Sequence, residues 1–125
     1  MELPLTDRVK LTQKDIREFQ LAKAAIATGV ELLLREQKID RADVEKVLIA
    51  GGFGNYIDLE NAVEVGLLEF DPQRIIKLSN SALIGAKMFL FEEDAAIERL
   101  LPTTSHLSLE SSPTFLDVFC EKMAF

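Results

Sequence analysis

The chain has 125 residues, 48% of them hydrophobic and 28% charged, which suits one globular domain or a large fragment of one. Its formal net charge of −7 repels anionic phosphates and argues against a general nucleic-acid or membrane-surface binder, while leaving room for a nucleotide held by a few local contacts. No apolar run approaches the ~20 residues that span a bilayer, the opening MELPLTDRVK lacks the basic and apolar regions of a secretion signal, and the expected location is cytoplasmic.

Residues 1–10 carry no periodic pattern and are expected to be a flexible lead-in. Leu11 to Gln37 then predicts a long helix. Thr12 and Asp15 have the spacing of a capping box. Ile16, Phe19, Ile26, Val30, Leu33 and Leu34 recur at close to helical spacing. Ala22, Ala24, Ala25, Ala27 and Gly29 permit close packing on this helix. Lys23 interrupts the apolar stripe, four residues after Phe19 and three before Ile26. Two readings fit it: a lysine that snorkels from the edge of the stripe, or one that enters a cleft to meet something polar or anionic. Gln20, three residues earlier, shares that edge of the helix.

Asp40 caps a helical turn over Arg41 to Glu45. Lys46 to Ala50 is a short aliphatic run that reads as a buried strand. It runs into IAGGFGNY, where Gly51, Gly52 and Gly54 fall within four residues. A tight turn needs one such residue; a ligand lying against the backbone needs several. Asp58 caps a helix that stops at Gly66. Asp71-Pro72 marks a turn, and Arg74 to Leu78 reads as a second buried strand. Ser79 or Asn80 caps the next helix, through Leu83 to Phe89. Glu92 to Leu101 extends that helix or begins another, and Pro102 ends it. His106 to Leu109 predicts a strand, with the lone histidine structural. Pro113 starts a final amphipathic helix carrying Phe115, Leu116, Phe119 and Met123. Cys120 lies on that helix. One cysteine makes neither an internal disulfide nor an iron–sulfur cluster, and no zinc spacing occurs.

The alternation predicts an α/β fold: few parallel strands flanked by helices, after a long N-terminal helix. Two strong strands make a poor sheet with exposed edges. The stretch thus reads as half of a larger domain, or as a chain that completes its sheet with a second copy in a homodimer. The turn after each strand, AGGFG and LSNSALIGAK, opens at the same end of a parallel sheet, where α/β folds place ligands. Backbone N–H groups and helix starts there favour an anion. The dinucleotide pattern G-x-G-x-x-G fails, since its third glycine position is Ile57, and the G-x-x-x-x-G-K-[ST] phosphate loop is absent.

AGGFG between a strand and a helix resembles the adenosine motif of the actin, sugar-kinase and heat-shock-chaperone ATPases, whose core is ribonuclease-H-like. SNSALIGAK resembles the small-residue helix that follows in their second subdomain. The long helix with Gln20 and Lys23 is similar to the chaperone helix that sets polar side chains over adenine and ribose. More narrowly, LTQKDIREFQLAKAAIATGVELLL, IAGGFGNYIDLENAVEVGLL, NSALIGAK and HLSLESSPTFLDVFCEKMAF together resemble the C-terminal part of the ferredoxin-like reductive activators of corrinoid proteins. The match runs from about Leu11 to Phe125. The long blocks make it far more specific than the glycines alone.

The resemblance implies that residues 1–125 form one domain, the C-terminal fragment of an actin-like ATPase domain. Complete members carry an iron–sulfur domain ahead of it and use ATP to drive reduction of cob(II)amide to cob(I)amide in a corrinoid protein. Cluster ligands and the acidic phosphate-binding hairpins are missing here, so the expected role is the adenosine side of the cleft, and catalysis by this stretch alone is not expected. ATP or ADP is the implied ligand and a corrinoid protein the implied partner. Gly51 and Gly52 would lie against ribose or adenine. Phe53, Gly54, Asn55 and Tyr56 would wall the pocket, Gln20 and Lys23 would reach it from the long helix, and Asn80 from the second turn. Members of the family tend to have glycine where this chain has Ser79. A second reading, of another class, is a structural or dimerisation module whose glycines only permit close helix–sheet packing.

Overall fold

The computed structural model describes residues 2–91 and 98–125. Its first element is a hairpin where a flexible lead-in was expected: β1 (Glu2–Pro4) pairs antiparallel with β2 (Lys10–Thr12). The turn between them supplies the order. Thr6 Oγ1 accepts from the backbone N–H groups of Arg8 and Val9, at 3.3 and 3.1 Å, and Lys10 meets Glu2 at 3.0 Å. Three-residue strands are too short to announce themselves as an alternating pattern.

Helix α1 (Gln13–Gln37) follows directly. Its capping box is complete: Asp15 N–H donates to Thr12 Oγ1 at 3.2 Å and Thr12 N–H to the Asp15 carboxylate at 2.8 Å. At the far end Lys38 adopts a left-handed conformation, φ 54°, and Ile39 N–H reaches back to the Leu34 carbonyl at 3.0 Å. The buried stripe of α1 is offset from the large apolar residues. Lys23, Ala24, Ala27, Thr28 and Leu32 are buried, whereas Phe19, Ile26 and Leu33 remain exposed. The reason is steric. The alanines and Gly29 let the rest of the chain approach closely; a methyl on Gly29 would lie 3.5 Å from Leu109 Cδ1.

The parallel pair is shorter than expected, β3 (Val47–Ile49) with β4 (Ile75–Lys77), in register Ile49 opposite Lys77. The sequence predicts buried strands. Only one face is covered: Ile75 is buried, while Leu48 and Ile76 are 56% and 42% exposed. Helix α2 (Leu59–Glu64) starts at Asp58, whose carboxylate accepts from Asn61 N–H at 2.9 Å, and ends at Gly66, φ 73°. Asn80, rather than Ser79, caps helix α3 (Ser81–Phe89), accepting from Leu83 N–H at 3.2 Å. None of the nine residues of α3 is buried.

The helix expected over Glu92 to Leu101 falls in part on residues 92–97, outside the described residues; residues 98–100 are helical and Pro102 sits in a short 3-10 turn. The expected strand at His106 to Leu109 is absent among the described residues. That segment is irregular, then turns over Leu109–Ser111. It has no strand beside it, and Leu107 and Leu109 instead line a hollow with Leu32 of α1. Helix α4 (Phe115–Lys122) returns along α1, with Val118 2% exposed, in the most extensive packing of the fold.

Charged groups brace this frame. Glu31 of α1 binds Arg35 at 2.7 Å and Arg41 at 2.5 Å; Arg41 also meets Glu69 at 3.0 Å, and Glu69 meets Lys122 of α4 at 2.6 Å. Arg74 donates to the carbonyls of Ala42 and Val44, each at 2.8 Å, tying the start of β4 to the turn before β3.

Candidate functional site

The register of β3 and β4 fixes what lies at their carboxyl ends. Ile49 faces Lys77, and the ladder continues by one bond, Leu78 N–H to the Ile49 carbonyl at 2.7 Å. The glycine loop and the Ser79–Asn80 turn therefore leave the sheet side by side. This is the geometry in which α/β folds bind ligands.

The three glycines of the loop are there for three different reasons. Gly51 has φ +101°, a backbone that side chains rarely tolerate, so the turn itself requires it. Gly54 is buried, and a Cβ on it would lie 2.6 Å from Ile49 Cγ2, so close packing on the strand requires it. Gly52 is neither. Its backbone is ordinary right-handed helical, φ −59° and ψ −42°, and a Cβ there meets nothing within 4 Å. Nothing among the described residues accounts for glycine at that position.

The side chains around it point outward. Phe53 and Tyr56 are each 90% exposed, and Asn55 is exposed beside them. The carboxamide oxygen of Asn80 is taken by the helix cap, and its amide NH2 has no hydrogen-bond partner among the described residues. A residue that sequence reasoning passed over holds the loop in shape. Lys77 Nζ donates to the carbonyl of Ile57 and, at 3.4 Å, to that of Asn55. Its only signal was a charged residue at the end of an apolar strand, opposite the last residue before the glycines.

Gln20 and Lys23 are brought together with each other, but with a different part of the chain. Gln20 Nε2 donates to the Met123 carbonyl at 3.1 Å. Lys23 is 3% exposed, which excludes a snorkelling side chain; its ammonium donates to the Ala124 carbonyl and lies 5.2 Å from the centre of the Phe125 ring. Its Nζ also stands against Gly66, where a Cβ would come within 3.0 Å. Gly66 follows α2 and the glycine loop precedes it, so the six residues of that helix, about 9 Å of rise, lie between the two. Among the described residues no hydrogen bond joins Gln20 or Lys23 to the glycine loop or to Asn80.

Cys120 is exposed and unpaired, no cluster of metal-ligating side chains occurs among the described residues, and none of their helices is long and apolar enough to cross a membrane.

A family model described as the C-terminal domain of RACo, the ASKHA domain, matches residues 2–125. The chain is 39% identical over 127 residues to the corrinoid activation enzyme RamQ of Eubacterium limosum, a match covering 99% of this chain and 21% of that protein. It is 30% identical over 125 residues to a [Co(II) methylated amine-specific corrinoid protein] reductase of Methanosarcina barkeri, covering 96% of this chain and 23% of that one. A solved reductive activator for corrinoid, iron-sulfur protein superposes with a TM-score of 0.80 at 32% identity, over 91% of this chain and 19% of that chain. The chain thus spans about a fifth of the length of the relatives it matches. With an α/β architecture, a long first helix and a parallel strand pair opening into a glycine loop, the chain belongs to the family of the C-terminal ASKHA domain of RACo, the reductive activators of corrinoid proteins.

Proposed function

We propose that this chain is the adenosine side of the ATPase-like domain of a corrinoid-protein activator, one in which ATP drives reduction of cob(II)amide to cob(I)amide. The family and the names of its relatives support the setting. The observation that carries the nucleotide role is Gly52: its glycine identity has no cause among the described residues, and a ligand lying against the backbone supplies one. In this reading Gly51 turns the chain, Gly52 lets ribose or adenine approach, and Asn80 offers its free amide from the neighbouring turn. Phe53, Asn55 and Tyr56 stand beside the ligand, and Gly54 and Lys77 hold the loop in place. ATP bound there would contribute a transferable phosphoryl group, and this chain would orient its nucleoside. The corrinoid protein is the partner of the assembled activator.

Titration of adenosine, ADP and ATP against the chain, followed by backbone NMR shifts with the mass in solution known, tests this. Shifts clustered at Gly51 to Asn55 and Asn80 are expected. No shift there from any of the three would remove the nucleotide role.

A second reading rests on a separate observation. Helix α3 buries none of its residues, and Leu83, Ile84, Met88 and Phe89 are all about half exposed. Both edges of the β3–β4 pair are open among the described residues. A structural module that pairs these surfaces with another polypeptide or a second copy accounts for both. A stable homodimer indifferent to adenosine would favour it.

A further inference from the structure

We propose that the hollow between the last turns of α1 and the Leu109 turn is a binding site for a small apolar α-amino acid, of the size of leucine, held by both charges of its zwitterion. The hollow forms because Gly29 lets the turn close on the helix: a Cβ on that glycine would lie 3.5 Å from Leu109 Cδ1. Leucines make the floor. Leu32 of α1 is 6% exposed, and Leu107 and Leu109 come from the turn, both half-buried. The volume is about 220 Å³. A protein cavity of about 150 Å³ accepts benzene, so this one has room for roughly eight or nine non-hydrogen atoms, which is valine or leucine.

The rim carries one charge of each sign, Arg35 and Glu36. Arg35 gives its Nε–H to Glu31 at 2.7 Å, and its Nη groups have no hydrogen-bond partner among the described residues. Glu36 is exposed and in no ion pair among the described residues. Beside them Ser112 Oγ and Thr114 Oγ1 stand 3.2 Å apart, and one hydrogen bond between two hydroxyls leaves one proton to donate outward.

This rim suits neither a simple anion nor a simple cation. An anion meets the carboxylate of Glu36 and the negative end of the α1 dipole. A cation meets Arg35. A guanidinium presents paired N–H groups to a carboxylate, and a carboxylate accepts from an ammonium. A molecule with both charges at one end and an aliphatic tail at the other satisfies rim and floor together. Bound there, it ties the turn that leads into α4 to the end of α1 and stabilises that packing by mass action.

The test titrates the 125-residue chain with L-leucine and three relatives, followed by NMR shifts. Isocaproate is leucine without its ammonium, isoamylamine is leucine without its carboxylate, and glycine lacks the tail. Leucine is expected to shift Leu32, Leu107 and Leu109. Isocaproate and isoamylamine are each expected to bind about fivefold more weakly, the upper range for one exposed charge pair. Glycine is expected to bind at least about tenfold more weakly, since each buried methylene contributes about fourfold. Arg35→Gln should weaken leucine about fivefold and leave isoamylamine unchanged. Glu36→Gln should weaken leucine equally and leave isocaproate unchanged. Both side chains are solvent-accessible, and unperturbed amide spectra of the variants check that the fold is kept.

No leucine shift on the three floor residues overturns the proposal. So does equal binding of leucine by glycine or by either one-charge analogue. Variants that weaken all probes alike also overturn it, because a disturbed Glu31 contact rather than a lost ligand contact would then be the cause. The hollow is separate from the glycine loop. Adenosine reads Gly52 and Asn80, leucine reads Leu32 and Leu109, and either result can fail while the other stands.

Discussion

Gly54 rests on Ile49 so closely that a Cβ added to it would lie 2.6 Å from the isoleucine Cγ2, while two residues earlier a Cβ on Gly52 would touch nothing within 4 Å. Two glycines of one loop are thus set apart by their neighbours. Gly54→Ala forces the loop off the strand and is expected to destabilise the fold by roughly 1–3 kcal/mol, the usual range for overpacking. Gly52→Ala is expected to change stability by less than about 0.5 kcal/mol, as at an unconstrained surface position, yet to weaken adenosine binding. Urea unfolding and calorimetry on both variants separate the two effects. Equal destabilisation by both would mean that Gly52 serves packing alone.

Lys77 holds the loop from below, through the Ile57 and Asn55 carbonyls. Lys77→Met keeps most of the side-chain volume and removes the donors. The prediction is a stable fold with a looser loop: amide hydrogen exchange should accelerate from Asn55 to Asp58 and stay unchanged in the core of α1. Uniform protection across both segments would show that the lysine is dispensable for loop order.

How much of this was legible in the sequence depended on the range of the interaction. Local devices could be read directly. The Thr12–Asp15 box, the Asp58 cap and the Gly66 stop need only neighbours in the chain, and each stands where the spacing places it. The strand–glycine–helix order of the site was legible for the same reason. Long-range partners were not. The 3.6-residue pattern finds the apolar residues of α1 but not the small ones onto which α4 and the Leu109 turn close, so the buried stripe came out rotated. HLSL has the composition of a strand and no strand to pair with among the described residues. Lys23 breaks the apolar pattern of its helix, but nothing in that helix says that its acceptor is Ala124, about a hundred residues away.

The carboxylate of Glu31 links α1 to Arg41, which continues to Glu69 and Lys122. The hydrogen bond from Arg35 is the main cause that holds its carboxyl below the ordinary glutamate value of 4.5; burial opposes it, and the hydrogen bond from Arg41 adds to the lowering. A carboxyl whose pKa is lowered by folding stabilises the fold above its unfolded value and loses that contribution as pH falls through the folded value. Glu31→Gln should therefore cost stability at pH 7, about 1 kcal/mol for a half-buried network of this kind, and little once the pH is below the lowered value. Thermal unfolding of the two proteins between pH 7 and pH 3 checks the sign: the gap between their midpoints should narrow on acidification. A gap that widened would show that Glu31 is not stabilised as its charged form.

Lys38 ends α1 in a left-handed conformation, φ 54°, the one non-glycine residue with positive φ among the described residues. The position is the helix C-terminal turn, where glycine is favoured because it lacks the Cβ that crowds the following carbonyl. The backbone bonds there, Lys38 N–H to Arg35 O at 3.1 Å and Ile39 N–H to Leu34 O at 3.0 Å, do not involve the side chain, and Lys38 is exposed. Lys38→Gly relieves the strain but raises the backbone entropy of the unfolded chain, which folding must then overcome. The two differ by roughly 0.5–1 kcal/mol in favour of the glycine variant. Its midpoint of thermal unfolding should rise, with adenosine binding unchanged, because the glycine loop lies on another segment. A fall in the midpoint would mean that the lysine ammonium, through the helix dipole at that end, outweighs the strain of its own backbone.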